Sequence, residues 1–411
     1  MNYILNALKE KGSKLVIRVI RHTIAAIFLV ILALPTVKQY FFFNPGFRWL
    51  YILIFSFAAS YFLTPFCRMA AIRLNILDRP DWRKIHSVPI PLFGGLGLYL
   101  AFLASLMFNN VFYPGMKSLL LGASIILIVG LWDDIRPIPA LLKFTFQVII
   151  ALLVILFGNI QLTFFYHTPF APFINIPLTI LWIVGITNAM NFFDGIDGLA
   201  ATMSIIIAVF LGVIAFKTGQ TALGWFSVAL AGSCMGFMPY NLRIGKPALL
   251  FLGDAGSTFM GFTLAGLAVL GEWSNTSHFV SLTAPILIFG VLIFDMIYVN
   301  LSRIKNRLAR NFFELLTCVN KDHLHHRLIL MGFTGKETLF IVTVISACLG
   351  VSALIIMNQE VIQAILGLSQ AVMILGLIVI LMLKGREIIP KEGDRRIIRR
   401  RQENHKTPDT M

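Results

Sequence analysis

Apolar stretches of roughly membrane-spanning length recur along nearly the whole chain, from Ile24 to Leu383, separated by short loops. No segment between them is long enough for a separate soluble domain. Of the 411 residues 58% are hydrophobic and only 13% charged, too little polar surface to cover a water-soluble core. The bilayer must therefore be the solvent, and repeated interruption by loops excludes a signal peptide followed by a secreted domain. The pattern predicts an all-α polytopic integral membrane protein of about 11–12 transmembrane helices with cytoplasmic catalytic loops. Spans fall near 23–43, 49–71, 92–112, 118–132, 140–157, 175–190, 198–216, 221–239, 255–271, 279–301, 337–357 and 361–383. Pro35 and Lys38 interrupt the first, which reads either as a crossing or as an interfacial amphipathic helix.

Charge sets the orientation. Lys and Arg cluster in 1–22, 68–84, 303–336 and the tail after Lys384, whereas 158–176 and 271–281 contain none. By the positive-inside rule the basic loops are cytoplasmic, and this favours a true crossing at 23–43. The expected organisation is a basic N-terminal segment with a candidate extra membrane helix (1–43), a multi-span domain (44–384) and a basic cytoplasmic tail (385–411). Without a folded soluble module, the arginine-rich tail reads as topology control or attraction to anionic lipid, not nucleic-acid binding. Cys67, Cys234, Cys318 and Cys348 are scattered without a CxxC pair and read as filler in packed helices.

Counting spans places every loop rich in Asp, Asn, Gly or His on the cytoplasmic face. Asp133 and Asp134 end an apolar span and are followed by Arg136 and Lys143. Two adjacent carboxylates at a membrane edge need a cation or water to offset desolvation, which suits a general base or a Mg²⁺ ligand set near a phosphate. In NAMNFFDGIDGLA, a continuing helix would stack Asn188, Asn191 and Asp194 on one face. The glycines after Asp194 and Asp197 allow close backbone approach and an anion-binding helix start. Asp254, between glycines in FLGDAGS, suits a hard cation held through oxygen, though an N-cap Asp looks the same. In DHLHHR, His323, His325, His326 and Arg327 lack the spaced partners of a zinc site and suit phosphate and leaving-group contacts. Lys84 and His86, in RKIHSVPIPLFGG, present cations to phosphates or act as topology signal alone. Asp295, inside an apolar span before Arg303, is a functional group or a structural partner for a neighbouring helix. Oxygen ligands and cations on one membrane face point to Mg²⁺-assisted chemistry on a phosphate, with an acceptor reachable from the bilayer.

RKIHSVPIPLFGG, the Asp133–Asp134 pair followed by Lys143-Phe-x-x-Gln147, NAMNFFDGIDGLA, FLGDAGS and DHLHHRL, in that order, resemble the polyprenyl-phosphate N-acetylhexosamine-1-phosphate transferases over about residues 50–335. The WecA/TagO-like branch fits better than the MraY branch, and the first 43 residues exceed the usual family start. The resemblance implies transfer of a sugar 1-phosphate, by default N-acetylglucosamine 1-phosphate, from a UDP-N-acetylhexosamine to undecaprenyl phosphate, with UMP released. That is the first lipid-linked step of a cell-envelope glycan. It also implies a bacterial inner membrane with the active site facing the cytoplasm, Mg²⁺ (or Mn²⁺) as cofactor, and homodimers as in the wider family. Residue by residue, Asp254 would hold the metal, with Asp133 beside it. Asp133 would deprotonate or orient the lipid phosphate next to Asp134, and Asn191, Asp194 and Asp197 would line the nucleotide and catalytic pocket. His325, His326 and Arg327 would meet the donor's diphosphate or sugar, with His326 among the catalytic residues. Lys84, His86, Asn188, Lys143 and His323 complete the substrate-binding set.

The rival reading is a cation-coupled transporter using Asp295 and the Asp194/Asp197 pair. Transport sites belong near the bilayer midplane, whereas these acids map to one edge. A CDP-alcohol phosphotransferase is disfavoured because DGIDGLA lacks that family's downstream pattern.

Overall fold

Hydrocarbon offers backbone N–H and C=O groups no partner, so a spanning chain must satisfy them within its own helices. The structure, a computed structural model, describes residues 2–43, 46–80, 88–164, 168, 170–243, 245–309, 311, 314–315 and 322–388. Its helices are α1 (Asn2–Ala33), α2 (Pro35–Phe43), α3 (Arg48–Arg73), α4 (Gly94–Phe108), α5 (Met116–Ile135), α6 (Ala140–Gly158), α7 (Ala171–Phe192) and α8 (Leu199–Lys217). There follow α9 (Thr221–Asn241), α10 (Gly253–Leu270), α11 (His278–Ile288), α12 (Gly290–Lys305), α13 (Leu324–Leu330), α14 (Gly335–Ile356) and α15 (Val361–Ile388). Strands β1 (Leu77–Asp78) and β2 (Ile90–Pro91) pair antiparallel.

Each of the twelve expected apolar stretches is helical, but not each is one straight span. Among the described residues eight helices are long and apolar enough to cross a membrane. Two further spans are broken: Val19–Ala33 meets α2 at 61°, and α11 meets α12 at 72°. Proline explains both bends, because it removes an N–H from the helical ladder. Pro35 opens α2, and Pro285 lies in the last turn of α11, just before Phe289 and Gly290. The α4 helix has only 15 residues, and α10 begins with the polar turn Gly-Asp-Ala-Gly-Ser-Thr. Lys38 is tolerated in the first stretch because its Nζ donates to Phe108 O at 2.5 Å and sits over the Phe108 ring.

The core is built around α10, which buries 15 of its 18 residues and packs on α4, α5, α7 and α8. Lipid is as apolar as leucine, so membrane helices associate through close packing and small residues. A Cβ on Gly130 of α5 would collide with the Ala255 backbone of α10, and one on Gly261 would lie 2.8 Å from Thr187 Cα of α7. The segment ahead of α10 is stitched into place. Phe251 N donates to Pro91 O, and Gly94 N and Gly95 N donate to Phe251 O and Leu252 O, each at 2.9 Å. Asn241 at the end of α9 accepts from Gly198 N at 2.7 Å and donates to Leu250 O at 3.1 Å. The ends of α5, α7 and α9 and the start of α10 thus converge on one edge of the bundle.

Gly130→Leu should therefore destabilise the protein by about 1–3 kcal/mol through forced separation of α5 and α10. Gly185→Ala, where a Cβ meets nothing within 4 Å, should be neutral or stabilising. Melting temperatures of the two variants in one detergent check this; equal melting would refute the glycine contact.

Candidate active site

The last turn of α5 carries two acids with different partners. Asp133 Oδ1 accepts from Ile138 N at 2.8 Å, and Asp133 Oδ2 accepts from Lys143 Nζ at 2.6 Å. Asp134 instead accepts from the first turn of α10: Oδ1 from Asp254 N at 2.8 Å and Oδ2 from Ala255 N at 3.2 Å. A helix start leaves such N–H groups unpaired and attracts negative charge, so Asp134 caps α10 from another helix. Gly253 makes room: its φ is +73°, and a Cβ there would strike the Asp134 carboxylate.

That arrangement frees Asp254 from capping its own helix. Its Oδ2 accepts from Lys143 Nζ at 2.9 Å and its Oδ1 from Asn191 Nδ2 at 3.2 Å. Asn191 Nδ2 also donates to Ser257 Oγ at 2.9 Å. Lys143 is thus a bridge between two carboxylates. Asp254 is the more open of them, with a side chain 33% exposed against 9% for Asp133.

The α7 helix stops at Phe192, so Asp194 does not continue the face of Asn188 and Asn191. Asn188 leaves that face as well, donating to Gln147 Oε1 at 2.6 Å and Val184 O at 2.8 Å. The expected stack of three therefore reduces to Asn191, because the Gly-rich turn to Gly198 (φ +81°) ends the helical register. Asp197 Oδ2 accepts from Ala248 N at 3.2 Å. Burial, reinforced by the negative charges of Asp254, Asp134 and Asp197, pushes the Asp194 carboxyl well above the usual carboxylate range. Asp78 in β1 adds to that repulsion; its place at the head of the basic loop was the available sequence signal.

The histidine segment lies beyond the end of α7. His323 stacks on Phe192 with ring centroids 4.8 Å apart, and His325 meets Phe193 edge-on at 5.8 Å. His325 is fully buried, and neither ring nitrogen has a hydrogen-bond partner among the described residues. Its Nε2 lies against Gly195, where a Cβ would be 2.5 Å away. Burial, with His326 and His323 beside it, holds the ring well below the ordinary imidazole range and so neutral. His326 packs on His325 at 4.1 Å. Arg327 is committed to the fold: Nε donates to Asp322 O at 2.5 Å, Nη1 to Tyr298 Oη at 3.2 Å and Nη2 to Ser302 Oγ at 3.4 Å. Arg303 grips Asp322 through two bonds of 2.8 and 2.9 Å. Burial works to raise the Asp322 carboxyl, but the bonds and charge of Arg303 hold it below its ordinary value.

Asp133, Lys143, Asn191 and Asp254 are therefore brought into one bonded cluster, with Asp134, Asp194 and Asp197 around it and the histidines across the end of α7. Asn188 and Arg327 are bound up in packing instead. Lys84 and His86 lie outside the described residues. Among the described residues no three His, Cys, Asp or Glu side chains are grouped to hold a metal ion. The donor chemistry nonetheless suits a hard cation: the carboxylate oxygens are uniformly hard, and Asp254, Asp134 and Asp197 set negative charge around Asp194. Lys143 Nζ, on both Asp133 and Asp254, marks where positive charge is wanted.

Residues 116–272, which carry most of this cluster, match the profile of glycosyl transferase family 4. The chain is 32% identical over 315 residues to a Bacillus subtilis (strain 168) protein named "probable undecaprenyl-phosphate N-acetylglucosaminyl 1-phosphate transferase", covering 75% of this chain and 85% of that one. It is 32% identical to the decaprenyl-phosphate N-acetylglucosaminephosphotransferase of Mycobacterium tuberculosis (strain H37Rv), over 69% of this chain and 76% of that one. It is 27% identical to the undecaprenyl-phosphate alpha-N-acetylglucosaminyl 1-phosphate transferase of Escherichia coli (strain K12), over 72% and 80%. With the family model resting on the helices that build the acidic cluster and the relatives matched over most of their length, the chain belongs to glycosyl transferase family 4, among the polyprenyl-phosphate N-acetylhexosamine-1-phosphate transferases.

Proposed function

We propose that the protein transfers a sugar 1-phosphate, N-acetylglucosamine 1-phosphate by default, from a UDP-N-acetylhexosamine to undecaprenyl phosphate. A lipid phosphate oxygen attacks the sugar-bearing phosphorus, a new P–O bond forms, the bond to the uridylate oxygen breaks, and UMP leaves. The observation that carries this reading is the Lys143 ammonium bonded to both Asp133 and Asp254 at the membrane edge. Phosphoryl transfer depends mainly on positioning and charge neutralisation, and that cluster offers both where a lipid headgroup can reach it.

The lipid phosphate is largely ionised near neutral pH, with a second pKa of about 6, so it needs no strong base. Asp133 has both oxygens engaged, which suits a residue that aims Lys143 at the incoming phosphate. Asp254, the open acid, would hold Mg²⁺ with Asp133 nearby, and the ion would neutralise the donor's diphosphate. Asn191 orients Asp254, while Asp194 and Asp197 shape the pocket where the nucleotide would sit. His325 and His326 would face the donor's diphosphate or sugar. The clustering of basic residues on the loops of this edge supports a site facing the cytoplasm, in the inner membrane of a bacterium.

The reading is tested by mass spectrometry of the lipid product and by UMP release across a panel of UDP-sugars. UMP should form only when polyprenyl phosphate is present, and sugar release without it would refute the assignment. Lys143→Ala should lower kcat by about a hundredfold or more, the scale of losing one preorganised electrostatic contact. Asp254→Asn should raise the Mg²⁺ concentration needed for half-maximal turnover; full activity of this variant at low Mg²⁺ would sink the metal assignment.

The raised Asp194 carboxyl gives a signed pH prediction. The charged form is lost as pH falls through its elevated pKa, so the acid limb of kcat/KM should lie at higher pH than for an ordinary carboxylate. Saturating Mg²⁺ should move that limb to lower pH, and Asp194→Asn should abolish it. A limb in the ordinary carboxylate range at both Mg²⁺ concentrations would contradict the assignment.

A further inference from the structure

The proposed reaction leaves one buried acid without a task. Asp295 lies on α12, beyond the 72° bend, and is only 1% exposed. A carboxylate this deep persists where its oxygens are engaged by well-placed donors. Asp295 Oδ1 accepts the backbone N–H of Leu324 at 2.6 Å, and Oδ2 lies 2.6 Å from His323 Nδ1. Leu324 opens α13, so one side chain fixes both the start of that helix and the ring of the residue before it. The other face of His323 is held by its stack on Phe192, next in sequence to Asn191. A carboxylate cannot donate, so the neutral ring must place its proton on Nδ1. Nε2 is then the nitrogen left for a ligand, as when a second carboxylate fixes the tautomer of a metal-bound histidine.

We propose that Asp295 is a positioning residue: it sets the tautomer and orientation of His323 so that Nε2 meets the donor nucleotide-sugar. The role of Nε2 rests on the transferase reading, whereas the Asp295–His323 bond does not. The geometry also dictates the informative substitution. In Asp295→Asn the Leu324 N–H still requires an acceptor, which fixes the amide oxygen there and turns the amide NH₂ toward His323 Nδ1. The proton must then move to Nε2, with side-chain size almost unchanged.

The test is the ¹⁵N spectrum of histidine-labelled protein in detergent, at a pH where the ring is neutral, with His323→Gln used to assign the signal. The wild type should show His323 protonated on Nδ1, and Asp295→Asn should show it protonated on Nε2. A wild-type ring protonated on Nε2 overturns the proposal even if the variant does not fold. In turnover assays Asp295→Asn should lower kcat at least tenfold, leave KM for polyprenyl phosphate unchanged, and lower nothing further in a His323→Ala background. An equal loss in both backgrounds would make Asp295 merely structural. A wild type with no transferase activity would sink the reaction itself and still leave the spectrum to decide the bond.

Discussion

The pair of bonds that the Asp134 carboxylate accepts from the backbone N–H groups of Asp254 and Ala255, in the first turn of α10, is the constraint on which the rest of the site depends. The start of α10 leaves backbone donors unpaired at the membrane edge, where water is scarce and the helix dipole favours negative charge. Only a side chain from outside α10 caps them, because Leu252 in the N-cap position makes no side-chain bond. Together with the Gly130–Ala255 contact, the cap sets the register of α5 against α10. That register brings Asp133, next to Asp134, within reach of the same lysine as Asp254.

Two neighbouring acids thereby have different surroundings and different work. Asp134 is spent on backbone; Asp133 is turned toward Lys143. Asp254 is released from capping and stays partly exposed, with Asn191 on its other oxygen. The same division recurs in the histidine segment. Arg327 and Asp322 are used to build the loop, while neither nitrogen of His325 has a hydrogen-bond partner among the described residues, and its Nε2 lies against Gly195.

Hydropathy alone made the helices legible, because a membrane span is a length of apolar sequence and little else. It did not show the bends at Pro35 and Pro285, since a proline announces a break without its angle. The convergence of Asp133, Asn191 and Asp254 was legible from loops falling on one face, and Lys143 from the motif that follows the acid pair. Which acid of the pair holds the backbone was not legible, because it depends on a contact 120 residues away in sequence. For the same reason the bonds of Asn188 to Gln147 and of Arg327 to Tyr298 were not legible: those partners lie on other helices, and local spacing carries no trace of them.

The division of labour between the paired acids is tested most directly by thermal melting of two variants, Asp134→Ala and Asp133→Asn, in the same detergent. Losing a helix cap costs about 0.5–2 kcal/mol, and leaving buried donors unpaired adds to that. Asp134→Ala should therefore melt several degrees below wild type, while Asp133→Asn melts close to it. If Asp134→Ala melts like wild type, or Asp133→Asn falls as far, the assignment of structure to one acid and chemistry to the other is contradicted.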